Sequence, residues 1–96
     1  MRMTITRISG DPKRLRGAYE QTADAMAEVG RDHGLLLHAA AETEDGFLML
    51  NLWPSADGSE SASRDRRRLD ALRASGVAPE EISKEHYEVT NLYRYD

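Results

Sequence analysis

The stretch Leu35–Trp53, LLLHAAAETEDGFLMLNLW, decides how this chain is read. Two apolar runs flank Asp45-Gly46, and Asp-Gly between such runs is a strong signal for a two-residue hairpin turn whose central residues take positive φ. With Asp45 and Gly46 as the loop, Glu44 is expected opposite Phe47, Glu42 opposite Met49, Ala40 opposite Asn51 and His38 opposite Trp53. Side chains alternate along a strand. One face therefore collects Leu36, His38, Met49, Asn51 and Trp53. The other collects Leu37, Ala39, Ala41, Leu48, Leu50 and Leu52, and is apolar apart from Thr43 near the turn. Its alanines leave room for helices to approach. The helices are expected on this Leu/Ala side, with His38, Asn51 and Trp53 on the uncovered side.

Working outward, Met3–Ile8 places β-branched residues in alternation and predicts a first strand. Asp11 is a fitting N-cap and Pro12 fits the first helical position. Leu15, Ala18, Thr22, Met26 and Val29 then form an apolar stripe at helical spacing, closed by His33-Gly34. After the hairpin, Pro54–Gly58 reads as a loop. A second helix is expected from Ser59 to Ser75, with Asp57 a competing cap and Asp65 or Arg66 interrupting its thin apolar side. Pro79–Ile82 suggests one helical turn before a last strand, His86–Tyr95. The order is βαββαβ in a single domain spanning 1–96. It predicts an α+β, ferredoxin-like fold with an antiparallel sheet and two helices on one face.

Composition narrows the function classes. The 96 residues contain no cysteine, which excludes disulfides, thiol nucleophiles and cysteine-ligated zinc. A net charge of -4 argues against a general nucleic-acid binder. The basic run Arg64–Arg68 spreads around a helix and is offset by Asp65 and Asp70, so a solvated face is expected there. The third strand, FLMLNLW, lacks the aromatic-basic pattern of an RNA-recognition module, and no phosphate loop of acylphosphatase type precedes the first helix. Three histidines without acidic partners at ligand spacing give no metal signature. No apolar run approaches the ~20 residues of a membrane span, and no signal peptide is read at the N-terminus, so the cytoplasm is the expected location.

An uncovered face carrying Leu36, Met49 and Trp53 holds much apolar surface, each large side chain being worth roughly 1.5–3 kcal/mol on burial. A second copy of the chain is the simplest cover, and two-fold homodimers are the commonest oligomers. Two sheets face to face are expected to enclose a pocket in each subunit, with the polar residues among its lining. His38 is the candidate base, since its unperturbed pKa lies near neutrality. Asn51 has a donor and an acceptor that both need partners, and Trp53 is a stacking surface or a buried anchor. On the last strand, Tyr87, Asn91, Tyr93 and Tyr95 share one side, and His86, Glu88, Thr90, Leu92 and Arg94 the other. Tyr87, Asn91 and Tyr93 are the better-equipped wall, although either side is compatible with the pocket.

The residues Gly34, His38, Glu42, Asp45-Gly46, Leu52-Trp53-Pro54-Ser55 and Asn91-Leu92 resemble the pattern of the antibiotic biosynthesis monooxygenase-like proteins of the dimeric α/β-barrel group. The resemblance spans nearly the whole chain in element order, and its specific motif covers the hairpin and the loop after it. It implies a homodimer that binds a small molecule. It also implies a cofactor-independent monooxygenase acting on an aromatic or polyketide-like substrate, or a non-catalytic ligand-binding or stress-related dimer of the same fold. Haem-degrading members of the wider group use an Asn on the first strand, a Trp ending the third and a His on the second helix. Trp53 matches, but the first strand offers Thr4 and Thr6, and Ser59–Ser75 has no His, which disfavours that activity. Thr90 stands where related sequences often place a His before Asn-Leu.

Overall fold

A computed structural model of the chain describes residues 1–95. Four strands, β1 (Arg2–Ser9), β2 (Leu37–Thr43), β3 (Gly46–Trp53) and β4 (Ile82–Glu88), form one antiparallel sheet in the order β2-β3-β1-β4. This is the ferredoxin-like arrangement expected from the element order. Helix α1 (Pro12–Asp32) follows β1. Its start is built as its sequence predicts, with the Asp11 carboxylate accepting from the Arg14 amide at 3.0 Å and Pro12 in the first turn.

The second helix is two helices, α2 (Ala56–Ser63) and α3 (Arg66–Ser75). The break falls where Asp65 interrupts the apolar side. Asp65 leaves the helix to become the cap of α3, accepting from the Arg67 amide at 2.9 Å, as a short acid prefers to do. Ser59 lies buried inside α2 and does not begin the helix. A 3-10 turn, Pro79–Glu81, leads into β4, which starts and ends earlier than its apolar pattern suggests.

The hairpin turns at Glu44-Asp45, one residue sooner than the Asp-Gly signal implies. Thr43 pairs with Gly46, Glu42 with Phe47, Ala40 with Met49 and His38 with Asn51. No residue other than glycine has positive φ among those described, and Gly46 does not have it either. Gly46 serves close approach instead, because a Cβ there would collide with the Ile8 carbonyl. Moving the turn by one residue shifts each pairing by two, so the membership of each face survives.

The assignment of faces to layers does not survive. The helices lie over the side of the sheet that carries His38, Asn51 and Trp53. The Tyr19 ring of α1 packs on Phe47 with centroids 5.1 Å apart, and Trp53 forms a buried cluster with Val29 of α1 and Ala62 of α2. Gly58 lets α2 close on the Trp53 ring, since a Cβ there would lie 2.6 Å from the His33 carbonyl oxygen. Among the described residues no helix lies over the Leu/Ala face; Leu37 is 51% and Tyr87 46% exposed there, whereas Leu52 on the same face is buried. The apolar balance of a face does not decide which side a helix takes. Crossover connections between parallel strands have a fixed hand, and chain direction therefore sets the side.

Candidate functional site

With the helices above the polar-bearing face, the lining residues enclose a cavity of about 850 Å³ within one chain, inside the usual range for small-molecule sites. Its floor is the sheet and its roof is α1, α2 and α3. The expected pocket between two subunits is thereby corrected: His38, Asn51, Trp53, Leu36 and Met49 do line one cavity, but beneath their own helices.

The strand register places four polar side chains in a single row across the floor. His38 pairs with Asn51, Asn51 with Thr4, and Thr4 with His86. The Asn51 carbonyl oxygen faces His38 Nδ1 at 2.5 Å, so Nδ1 carries the ring proton and donates it. Nε2 is then the acceptor, receiving the Tyr19 hydroxyl at 2.6 Å, and the Tyr19 and His38 rings stack at 5.8 Å. This Tyr19–His38–Asn51 chain stands at the open end of the cavity, where His38 is exposed. The Asn51 amide nitrogen has no side-chain partner among the described residues and is left for a ligand.

At the other end of the row, the Thr4 hydroxyl and His86 Nδ1 lie 3.0 Å apart, with Thr4 only 5% exposed. Burial, and then the charges of Arg2 and Lys84, lower the His86 pKa below its ordinary value, while Glu60 opposes them. The imidazole is therefore neutral at pH 7. Lys84 is the next cavity-facing residue of β4, and its pKa is pushed down to about 8, first by burial and then by Arg68 of α3. Trp53 is 5% exposed and held among Val29, Ala62 and Leu35, so it acts mainly as a wall and anchor.

Three candidates lie elsewhere. Tyr87 points to the bare face, opposite Met3, and donates to Glu85 at 2.5 Å. Asn91 and Tyr93 follow the end of β4 and are exposed, Tyr93 by 71%. The strand stops at Glu88, and the pairing of Thr4 with His86 gives the cavity to the His86 side. Tyr19, Lys84 and Arg68 are absent from the sequence-based candidates. Tyr19 had a signal, lying four residues after Leu15 on the helix stripe, whereas the two cations had none without the register of β4. Among the described residues there is no cluster of three or more metal-ligating side chains, and no helix is long and apolar enough to cross a membrane.

No protein-family model and no curated protein matches the sequence. Solved structures do match. A protein of Deinococcus radiodurans provisionally named an antibiotic biosynthesis monooxygenase superposes with a TM-score of 0.73 at 16% identity, covering 100% of this chain and 99% of its own. A Caulobacter crescentus protein of the same provisional name gives 0.76 at 18% identity, over 94% and 90% of the two chains. SnoaB of Streptomyces nogalater, described as a cofactor-independent oxygenase, gives 0.68 at 16% identity, over 95% and 94%. Structural neighbours are thus antibiotic biosynthesis monooxygenase-like proteins, the group that the hairpin motif resembles, and at these identities they establish a shared fold.

Proposed function

We propose that the chain binds an aromatic or polyketide-like small molecule in the cavity beneath its helices and oxygenates it without a cofactor. The observation that carries this reading is the hydrogen-bonded chain Tyr19–His38–Asn51 opening into an otherwise largely apolar hollow. An electron-rich substrate such as an anthrone has an acidic CH₂. Loss of one proton gives a carbanion that dioxygen can oxidise. One oxygen atom remains as the new carbonyl and the other leaves as water, so the four electrons lost by carbon are those dioxygen takes up.

His38 Nε2 is the proton acceptor, reached directly when a ligand displaces the Tyr19 hydroxyl or through that hydroxyl as a relay. The Asn51 carbonyl holds the proton on Nδ1 and stabilises the imidazolium once it forms. The free Asn51 N–H group can donate to a ligand oxygen. Thr22, Met26 and Met49 supply lining that positions the substrate and keeps water scarce. We also propose a homodimer, with the bare Leu/Ala face closing on its twin to complete a dimeric α/β barrel. Leu37, Ala39, Leu48 and Leu50 give this face an apolar centre that suits an isologous interface.

Oxygen uptake with a panel of anthrones and quinols tests the activity. His38→Ala is expected to lower kcat by about 10²–10⁴, the usual worth of a general base, and Asn51→Ala to lower it as well. Unchanged turnover in both variants would remove His38 from the chemistry. Saturable binding with no uptake by the native protein would instead favour a non-catalytic binder.

A further inference from the structure

The far end of the cavity has a chemistry that the oxygenation reading does not use. Lys84 enters from β4 and Arg68 from α3. Among the described residues, neither forms an ion pair. Arg68 Nη1 donates to the Ser63 carbonyl at 3.2 Å and leaves its other N–H groups unused. Nearby Arg2 is paired, to Glu60 at 3.9 Å. Leu72 and Ile82 add apolar wall. Asp24 and Glu60 also line the hollow, but neither pairs with Lys84 or Arg68. The two cations repel each other, and burial disfavours both charges, as their lowered pKa values report. Lys84 is exposed and lines the cavity, so a ligand can reach it.

We infer that Lys84 and Arg68 form an anion-binding end of the cavity, and that its ligand is an amphiphile with a carboxylate seated between the ammonium and the guanidinium. The apolar body lies along Met49 and Trp53 toward His38. Charge-assisted hydrogen bonds from both cations are the strong kind, and the guanidinium offers a fork matched to a carboxylate. Three strand spacings separate β2 from β4, so a ligand touching both ends spans ~14 Å. This assignment rests on the cavity being a ligand site, and it narrows the substrate class to anionic aromatics.

The groups around Lys84 are Arg68 from α3 and His86, neutral at pH 7, on its own strand. Arg2 on β1, offset by Glu60 of α2, acts on His86, and Asp24 of α1 lines the same cavity. A bound carboxylate favours the charged ammonium. Affinity is therefore held below pH 8 and falls as pH rises through the value of about 8 at which free Lys84 loses its proton.

Calorimetric titration of the full chain with 2-naphthoate and its neutral isostere 2-naphthamide tests this. The naphthoate is expected to bind at least about tenfold more tightly. Lys84→Met and Arg68→Met should each reduce that preference by weakening naphthoate more than naphthamide, and Lys84→Gln serves if the Met variant does not fold. The pH series on the native protein needs no variant. Equal affinity for the two probes, or a preference untouched by both substitutions, would overturn the anion site and leave the aromatic cavity standing. No saturable binding of either probe would overturn both.

Discussion

The two faces of the sheet are built by the same alternation of residues, yet they meet opposite fates. One carries Thr4, Thr6, His38, Asn51 and Trp53, is polar by the standards of a core, and lies under three helices. The other carries Leu37, Ala39, Leu48 and Leu50 and has no helix over it. The roofed face can keep its hydroxyls and imidazoles because they pair along the row, His38 with Asn51 and Thr4 with His86, and because the cavity leaves others within reach of solvent or ligand. Among the described residues no buried side-chain polar atom lacks a partner, as expected when unpaired burial costs several kcal/mol. The bare face has the composition of a surface meant to be covered, and among the described residues no helix covers it, although Leu52 on this face is buried. A face that is more apolar is therefore not necessarily the one its own helices occupy.

The sharpest way to break this contrast is Trp53→Ala. It removes the anchor joining α1, α2 and the floor, and is expected to cost about 3–5 kcal/mol in urea denaturation. A loss below about 1 kcal/mol would show that the roof is not held through Trp53. On the other face, Leu50→Asp buries an unpaired charge at the proposed subunit contact. It should weaken self-association by roughly 2–3 kcal/mol, about 30- to 150-fold, in sedimentation equilibrium while leaving ligand affinity in the cavity unchanged. Equal sedimentation of the two proteins would deny the bare face its twin.

The smallest effect concerns how the roof is tied down. Asp65 accepts from Arg67 and contacts His33 at 2.9 Å, and Arg67 reaches Asp32 at 2.8 Å, so the start of α3 is joined to the end of α1. Arg67 first, then His33, hold the Asp65 carboxyl well below the usual carboxylate range. A carboxylate with a depressed folded pKa adds stability above its unfolded value and loses it as pH falls, here from about pH 5 downward. Asp65→Asn keeps a capping side chain and removes the charge. It should flatten the acid limb of a Tm-versus-pH curve while changing little at higher acidity, where native Asp65 is itself neutralised. Parallel curves for the two proteins would remove Asp65 from acid sensitivity.

Much of the fold is legible in local patterns. Asp11-Pro12 begins α1, the hairpin falls where the apolar runs flank acidic residues, and even the break between α2 and α3 is foreshadowed by Asp65 on a thin apolar stripe. The floor of the candidate site was equally legible on β2 and β3, because the pleat assigns His38, Met49, Asn51 and Trp53 to one side whatever the turn. The wall offered by Tyr87, Asn91 and Tyr93 was misplaced, because the end of β4 and its pairing with β1 are long-range facts. Tyr19 meets His38 across the gap between helix and sheet, and Lys84 meets Arg68 across the cavity.

By itself the sequence determined the order of elements and which side chains of the hairpin travel together, since both follow from the periods of helix and strand. Only the tertiary structure decided which side of the sheet the helices cover, where the cavity opens, and that a tyrosine and two cations join it. Those outcomes depend on the hand of the crossover and on packing between residues far apart in the chain, which local alternation does not encode.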